Sequence, residues 1–295
     1  MDRRQYRRGG TAGRLGFAVG IAAGLGLGAT GCSFSGAAAE DARGAGDPVT
    51  VLHRAADTLR EAGSSKATTS MEMATGGTRV TIRGKGVYDF RRQLGRLTVQ
   101  LPQDPAGQAE HRPITELLAP GALFMKNRGA GVPADKWVRV DTASLSDGNL
   151  VTGGATDPYA AAELLRGTRT ATYVGRTELG GIEVRHFRGT ADLVRAARSA
   201  SVGNREALAA AAKGFATAAV PFDAYLDDGG RIRKLRQSFS FVNGRRKATV
   251  AVVSTTLLYG FGTPADVRLP LPDDIYAGRI AENQPSGEPA DGPGH

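Results

Sequence analysis

The sequence contains few residues of the types that most often build metal centres and covalent cross-links. It has one cysteine, four histidines and one tryptophan among 295 residues. A single cysteine cannot form an intramolecular disulfide, so the folded chain must be stabilised by its core. The histidines, at positions 53, 111, 186 and 295, are not spaced as metal ligands within one element. We therefore expect neither a metal site nor a cofactor.

Common catalytic motifs are absent as well. The chain has no HExxH zinc motif, no GxSxG nucleophile motif and no GxxxxGK[ST] phosphate loop. Asp227 and Asp228 form a carboxylate pair, but two glycines follow them directly, which is typical of a turn. A GxGxxG pattern at 26–31 opens no βαβ unit, so we interpret it as chance. We expect no catalytic residues and no enzyme. A hydrolase that depends on His186 or His111 remains the enzymatic alternative, because triads have no fixed order in a sequence.

Basic residues outnumber acidic ones only slightly once the N-terminal segment is set aside. The chain has 38 Lys and Arg against 29 Asp and Glu. Residues 1–31 hold five of the basic residues and one acidic residue, so residues 32–295 carry 33 against 28, a net charge of +5. A nucleic-acid face would need a basic stripe with aromatic platforms. We therefore expect no nucleic-acid partner and an ordinary solvated surface, which allows a weak attraction to anionic lipid.

Residues 1–31 have the three parts of an export signal. The basic head contains five arginines: Arg3, Arg4, Arg7, Arg8 and Arg14. Residues 15–29 are apolar, rich in glycine and shorter than the roughly 20 residues that a membrane span needs. Small residues follow them. The Arg3-Arg4 pair resembles a twin-arginine signal, but basic heads are also common in general secretion signals, so both export routes stay open.

The segment Ala29-Thr30-Gly31-Cys32 resembles a bacterial lipobox. In a lipobox the cysteine thiol receives a diacylglyceryl group and the chain is cut directly before it, which needs small residues and an extended backbone. We therefore predict cleavage between Gly31 and Cys32, lipid attachment at Cys32, and anchoring at the extracytoplasmic face of the cell membrane. The alternative is a buried free thiol. Ala29 departs from the pattern, because leucine is usual at that position.

The rest of the chain divides into a tether, one domain and a tail. Residues 32–46 are small and polar, which is typical of a flexible tether. Residues 47–282 are long enough for one large domain with its own core. Residues 283–295 consist mostly of Pro, Gly, Glu and Asp and predict a disordered tail.

Three helical stretches are predicted within the domain. Asp47-Pro48 is an N-cap followed by proline at the first helical position, and Gly63 ends that helix. Asp157-Pro158 begins a second helix in the same way. Residues 190–215 form an alanine-rich helical stretch, which we expect to break at Gly203-Asn204.

About ten strands make up most of the remainder, and short turns join most of them. Gly180-Gly181 and Asn243-Gly244 predict hairpins, and Val267 with Leu269 predicts a last short strand. Gly84 and Gly86 predict a bulge or a close approach of two backbones. Because short connections imply antiparallel neighbours and the helices are grouped, we expect an α+β fold rather than alternating α/β.

Alternating apolar residues mark the candidate inner surface of the sheet. Phe239 and Phe241 share one side of their strand, with Lys234 and Arg236 on the other, so helices should cover the apolar side. Six residues are candidates for the lining of an apolar cavity: Leu123, Met125, Phe239, Phe241, Val250 and Val252. The alternative for each of them is a place in an ordinary core.

Several stretches together resemble the actinobacterial LppX/LprG lipoprotein family and, more broadly, the fold of the lipoprotein carriers LolA and LolB. They are residues 136–141, Asp157-Pro158, residues 174–187, residues 224–235 and residues 261–272. The resemblance implies a strongly curved antiparallel sheet, an open half-barrel whose concave face is covered by helices. It also implies an apolar cavity for acyl chains between sheet and helices, and no catalytic residues.

Two hypotheses about function follow. The first is a membrane-anchored extracytoplasmic lipoprotein that binds a lipid or another amphiphile in an apolar cavity, with lipid transport as one use of that binding. The second is an envelope sensor or interaction module of the same fold, which regulates a membrane protein partner. Lipid that co-purifies with the protein would distinguish the first from the second.

Overall fold

A computed structural model of the protein describes residues 46–75, 78–102, 112–129, 131–243 and 248–277. The predicted signal segment, Cys32, the tether and the tail lie outside these ranges. So do His111, His295 and Gly244. The predictions that concern them therefore stay predictions.

Eleven strands form one sheet in the order β6-β5-β4-β3-β2-β1-β11-β10-β9-β8-β7. Their bounds are β1 Ser64–Thr75, β2 Thr78–Asp89, β3 Leu94–Gln100, β4 Ile114–Ala119, β5 Ala122–Lys126, β6 Val138–Asp141, β7 Thr168–Leu179, β8 Ile182–Asp192, β9 Ala219–Leu226, β10 Ile232–Asn243 and β11 Ala248–Tyr259. All neighbouring strands pair antiparallel. The sheet is open, with β6 and β7 at its two edges. The predicted α+β class with about ten antiparallel strands is confirmed.

In the described part of the chain, four α-helices pack against one side of this sheet. They are α1 Pro48–Ala62, α2 Pro158–Leu164, α3 Leu193–Ser199 and α4 Val202–Gly214. The predicted caps of the first two are confirmed: Asp47 accepts a hydrogen bond from the Thr50 amide, and Asp157 accepts from the amides of Tyr159 and Ala160. Gly63 ends α1 with φ +86°, a conformation that favours glycine. Within the described residues, no helix is both long and apolar enough to cross a membrane.

The helical stretch at 190–215 differs from its prediction. Residues 190–192 belong to β8, and the break between α3 and α4 falls at Ala200-Ser201 rather than at Gly203-Asn204, which lies inside α4. The physical reason is a contact across the fold. The Glu163 carboxylate of α2 accepts hydrogen bonds from the Ser201 amide at 2.9 Å and the Ser201 hydroxyl at 2.8 Å, and so caps α4 from another helix.

Two strand predictions also need correction. Val267 and Leu269 form no strand; Val267 is instead fully buried in an irregular segment on the outer face. Residues 114–119, to which no strand was assigned from sequence, form β4. At Gly84 and Gly86 the strands approach closely and no bulge occurs: the β1–β2 register is unbroken, and a Cβ on Gly86 would lie 1.8 Å from the Arg96 carbonyl oxygen.

The main core lies between the helices and one face of the sheet, which we call the inner face. Every second residue of the central strands points there, including Leu97 of β3, Met71 of β1 and Val252 of β11. A smaller apolar cluster lies on the opposite, outer face, where Leu117 and Phe124 pack beneath Val267. A buried ligand site would therefore lie on the inner face.

Candidate functional site

The six predicted lining residues all belong to the inner-face core or pack against it. Phe239 pairs with Val252 and Phe241 pairs with Val250 on the neighbouring strands β10 and β11. Leu123 and Met125 lie on β5, on the other side of the sheet centre. The structure thus brings four of the residues together at one place and puts the other two on the same face, several strands away. Phe241 is the least buried of the six, since only it is partly exposed.

A loop between β6 and α2, residues 145–157, crosses the inner face from one strand to the next. We call it the crossing loop. At its end, the Thr156 hydroxyl is hydrogen-bonded to the Ser254 hydroxyl of β11 at 2.6 Å. Further back, Gly154 faces Ile82 of β2 and Val99 of β3, and Gly153 faces Leu123 of β5. The crossing loop therefore covers the apolar strip that links the two groups of predicted lining residues.

The crossing loop is held together by one carboxylate. Asp147 accepts hydrogen bonds from the amides of Asn149, Val151 and Thr152, at 3.1, 2.8 and 2.5 Å. Its attachment to the sheet is lighter: Arg128 donates to the carbonyl oxygens of Gly153 and Thr152 at 3.3 and 3.4 Å. Because residues 153–155 are Gly, Gly and Ala, this part of the loop contributes little apolar surface of its own to the core.

A small cavity opens between the crossing loop, the end of α4 and β10. Its volume is about 120 Å³, and Val151, Phe215 and Phe241 line its apolar side. Ser146, Asp147 and Thr152 line the polar side. Phe215 stacks on Phe239 with ring centroids 4.9 Å apart, so the aromatic wall continues into the core. A cavity of this size is below the roughly 300–1,000 Å³ of drug-sized ligand sites, so a long ligand needs the loop to move.

One inner-face residue is unexpected there: Glu116 of β4. It has no exposed surface, and neither carboxylate oxygen has a hydrogen-bond partner among the described residues. Leu97 and Met125 lie opposite it on the neighbouring strands. Burial raises the pKa of Glu116 to about 8, although the positive charge of Arg128 acts in the opposite direction. Residue type alone predicts an exposed side chain; the apolar run around it, from Ile114 to Ala119, is the only local signal of burial.

A polar network ties the helices to one another. Fully buried Glu163 also accepts a hydrogen bond from the Asn204 side chain at 2.8 Å, and its carboxylate lies 3.5 Å from Arg166. Arg166 in turn binds Asp57 of α1 through two hydrogen bonds, at 2.9 and 2.7 Å. This chain of contacts joins α1, α2 and α4 in the layer above the sheet.

The start of α2 is joined to the sheet by a second pair. The Tyr88 hydroxyl of β2 donates to the Asp157 carboxylate at 3.1 Å. Burial raises the pKa of Asp157 to about 6, against the hydrogen bonds that it accepts from Ala160, Tyr159 and Tyr88. The end of the crossing loop is therefore fixed at Asp157, and any opening of the loop has to begin before that residue.

The described histidines occupy structural positions. The Nε2 atom of His53 lies 3.1 Å from the Thr168 carbonyl oxygen. On the outer face, His186 lies 2.7 Å from Asp223 and stacks on Tyr225 at 4.2 Å. Burial alone would raise the pKa of Asp223, but hydrogen bonds from His186 and Arg188 bring it below its ordinary value. Within the described residues, no group of three or more His, Cys, Asp or Glu side chains could hold a metal ion.

Comparisons with known proteins give similarities in structure only. No protein-family model matches the chain, and no curated protein matches it. The crystal structure of the lipoprotein LppX of Mycobacterium tuberculosis is similar with a TM-score of 0.40 and 9% identity, covering 75% of this chain and 97% of that one. LprF of Mycobacterium bovis gives 0.36 and 13%, with coverages of 77% and 99%. The MucA/MucB complex of Pseudomonas aeruginosa gives 0.29 and 14%, with 79% and 62%. At these TM-scores the similarities do not assign a function to this chain.

Proposed function

We propose that this protein is an extracytoplasmic lipoprotein, anchored through Cys32, that binds a lipid or another amphiphile between the inner face of its sheet and the crossing loop. One observation carries the proposal. An apolar strip runs across the sheet from Leu123 to Phe241, and the part of the crossing loop that lies on its middle consists of Gly153, Gly154 and Ala155, whereas Leu150 and Val151 of the same loop are buried in the core. An acyl chain would fill that strip better than Gly153, Gly154 and Ala155 do.

Burial of an acyl chain would offset the loss of the loop's contacts with the sheet. Burial of each methylene contributes about 0.8 kcal/mol, so a chain of ordinary length supplies strong binding without any specific polar contact. The side-chain hydrogen bonds to the loop that would be lost are few: the Arg128 hydrogen bonds to two carbonyl oxygens and the Thr156–Ser254 hydrogen bond. The acyl chain would also have to replace the apolar contacts of Leu150 and Val151, which are buried in the core. The cavity beside Val151 and Phe241 is where the loop already stands away from the sheet.

A substitution that fills this cavity tests the proposal. We expect protein extracted from membranes in mild detergent to carry an amphiphile detectable by mass spectrometry, and Val151→Phe to carry markedly less, because the added ring occupies the cavity. The matched control is Val202→Phe, which adds the same ring at a position of α4 that is 83% exposed. A wild-type protein that is free of lipid after extraction, and that takes up none on refolding, would overturn the proposal.

The anchor is tested separately at Cys32. We expect labelled palmitate to be incorporated into the wild-type protein and the protein to fractionate with membranes. Cys32→Ser should abolish the label and release the protein, because a serine hydroxyl cannot form the thioether. Ser33→Ala, one residue further along, is the control and should keep both properties. Unchanged fractionation of Cys32→Ser would show that the predicted address is wrong.

An envelope module that regulates a membrane protein remains the second candidate, and a surface groove favours it. Between α3 and α4 lies a groove of about 300 Å³ whose floor includes Val194, Ala209 and Ala212 and whose rim includes Arg198 and Arg205. A partner helix with apolar and acidic residues would fit such a groove. Capture of a membrane protein that is lost in Ala209→Asp, from a protein that carries no lipid, would favour this candidate over lipid binding.

A further inference from the structure

We propose that the Glu116 carboxyl group and the Asn149 amide oxygen hydrogen-bond to hydroxyl groups of the bound amphiphile. The inference rests on the proposed function and adds the class of ligand to it: a neutral amphiphile whose headgroup carries hydroxyls, such as a sugar or glycerol. It concerns the half of the apolar strip that lies under the crossing loop near β4 and β5.

The position of Glu116 is that of a ligand group rather than of a structural ion pair. On its own strand Ile114 and Leu118 share its face, and Leu97 and Met125 flank it on either side. Both carboxylate oxygens lack a hydrogen-bond partner among the residues that the structure describes. A carboxyl group in such surroundings disfavours the folded state unless something hydrogen-bonds to it. Within the binding site, the missing partner is supplied by the ligand.

Asn149 provides a second acceptor on the same strip. Its side chain is 4% exposed, and its amide oxygen also lacks a partner within the described residues. That oxygen lies near Leu123, since a Cβ on Gly153 would be 2.6 Å from the oxygen and 3.2 Å from the Leu123 side chain. Leu123 and Met125 share a face of β5, and Met125 pairs with Glu116. Asn149 therefore lies beside the β5 residue that is two positions before the one paired with Glu116.

The charge of the pocket selects among headgroups. Because burial raises the pKa of Glu116 to about 8, its carboxyl group is mostly neutral at pH 7 and can both donate and accept. A hydroxyl also does both. The neighbouring cation, Arg128, already donates to the main-chain oxygens of Gly153 and Thr152. A phosphate headgroup would bring a negative charge next to the Asn149 amide oxygen, which can only accept, and would bury that charge beside apolar side chains.

Three probes with the same dodecyl chain test the inference: dodecyl glucoside, monolauroylglycerol and dodecyl phosphate. Binding to the purified full-length protein is measured by calorimetry at pH 7, below the micelle concentration of each probe. We expect the two hydroxyl probes to bind about tenfold more tightly than dodecyl phosphate. Glu116→Leu should remove most of this preference and leave the affinity for dodecyl phosphate unchanged. Asn149→Gly, which tolerates the φ of +63° at this position, should reduce the preference in part.

The possible outcomes separate the choice of headgroup from lipid binding itself. Binding of the glucoside alone, or of the glycerol ester alone, supports the inference and identifies the headgroup as sugar or glycerol. Equal binding of all three probes, unaffected by Glu116→Leu, overturns it and leaves the proposed function intact. Preference for dodecyl phosphate also overturns it. If no probe binds, the proposed function itself fails. Glu72→Leu, an exposed position on the outer face of β1, is the control and should bind like wild type.

Discussion

Replacement of Glu163 by alanine is expected to lower the free energy of unfolding by about 3–5 kcal/mol, the cost of breaking a buried charged network by removing one partner. Glu163 has no exposed surface and accepts three hydrogen bonds, two from Ser201 and one from Asn204. Alanine would leave these donors without their acceptor in the helical layer. It would also remove one of the two carboxylates near Arg166. Urea unfolding followed by circular dichroism measures the change.

Two further variants show how much of this loss comes from the negative charge of Glu163 and from its buried position. Glu163→Gln keeps an acceptor for the Ser201 amide but removes the charge, so its loss should be smaller than that of Glu163→Ala. Glu206→Ala removes an exposed carboxylate from α4 itself and should change the free energy of unfolding by less than about 0.5 kcal/mol. If Glu163→Ala were no more harmful than Glu206→Ala, the network would not be what holds α4 against α2.

The same contact explains why one helix boundary could not be predicted from sequence while others could. The caps of α1 and α2 are local, because Asp47 and Asp157 accept from amides two or three residues further along the chain. The break at Ser201 depends on Glu163, which is 38 residues away in sequence. A prediction based only on neighbouring residues places the break at Gly203-Asn204, because glycine and asparagine often interrupt helices. Long-range capping therefore moved the boundary by three residues.

The strands, too, could be predicted only in part. Their alternation placed Phe239, Val252 and the other predicted lining residues on one face, since period two depends only on the chain itself. β4 was missed because Glu116 interrupts its apolar run at an inner-face position. A charged residue type is a reliable sign of exposure in most proteins. It fails at Glu116, which is buried between Leu97 and Met125 of the neighbouring strands, and neither neighbour is close to it in sequence.

The cover of the site was also beyond prediction. The crossing loop lies on the sheet through Gly153, Gly154 and Ala155, which show no apolar period and therefore no sign of burial in the sequence. Its internal hydrogen bonds to Asp147 resemble those of any surface turn. The contacts of Thr156 with Ser254, of Gly154 with Val99 and of Gly153 with Leu123 show that the loop occupies the inner face.

Glu116→Gln is expected to raise the free energy of unfolding at pH 7 by about 3 kcal/mol and to leave it nearly unchanged near pH 4.5. The sign follows from the raised pKa. Burial shifts the pKa of Glu116 from its ordinary 4.5 to about 8 in the folded chain. Between these values the unfolded chain releases the proton and the folded chain keeps it, so the wild-type protein loses stability as the pH rises. Glutamine does not titrate, so Glu116→Gln removes this contribution to the pH dependence of the free energy of unfolding.

The difference in the free energy of unfolding between the wild-type protein and Glu116→Gln reports on Glu116 alone. Asp157, whose pKa burial raises to about 6, titrates in the same range but contributes equally to both and cancels in the difference. Urea midpoints at several pH values between 4.5 and 8 should therefore give a difference that grows with pH and levels off near 8. Glu72→Gln on the exposed outer face is the control for replacing a glutamate by glutamine on this sheet. A Glu116→Gln difference that stays constant with pH would mean that the carboxylate has water or a partner in solution, and both the buried position and the ligand role of Glu116 would then be wrong.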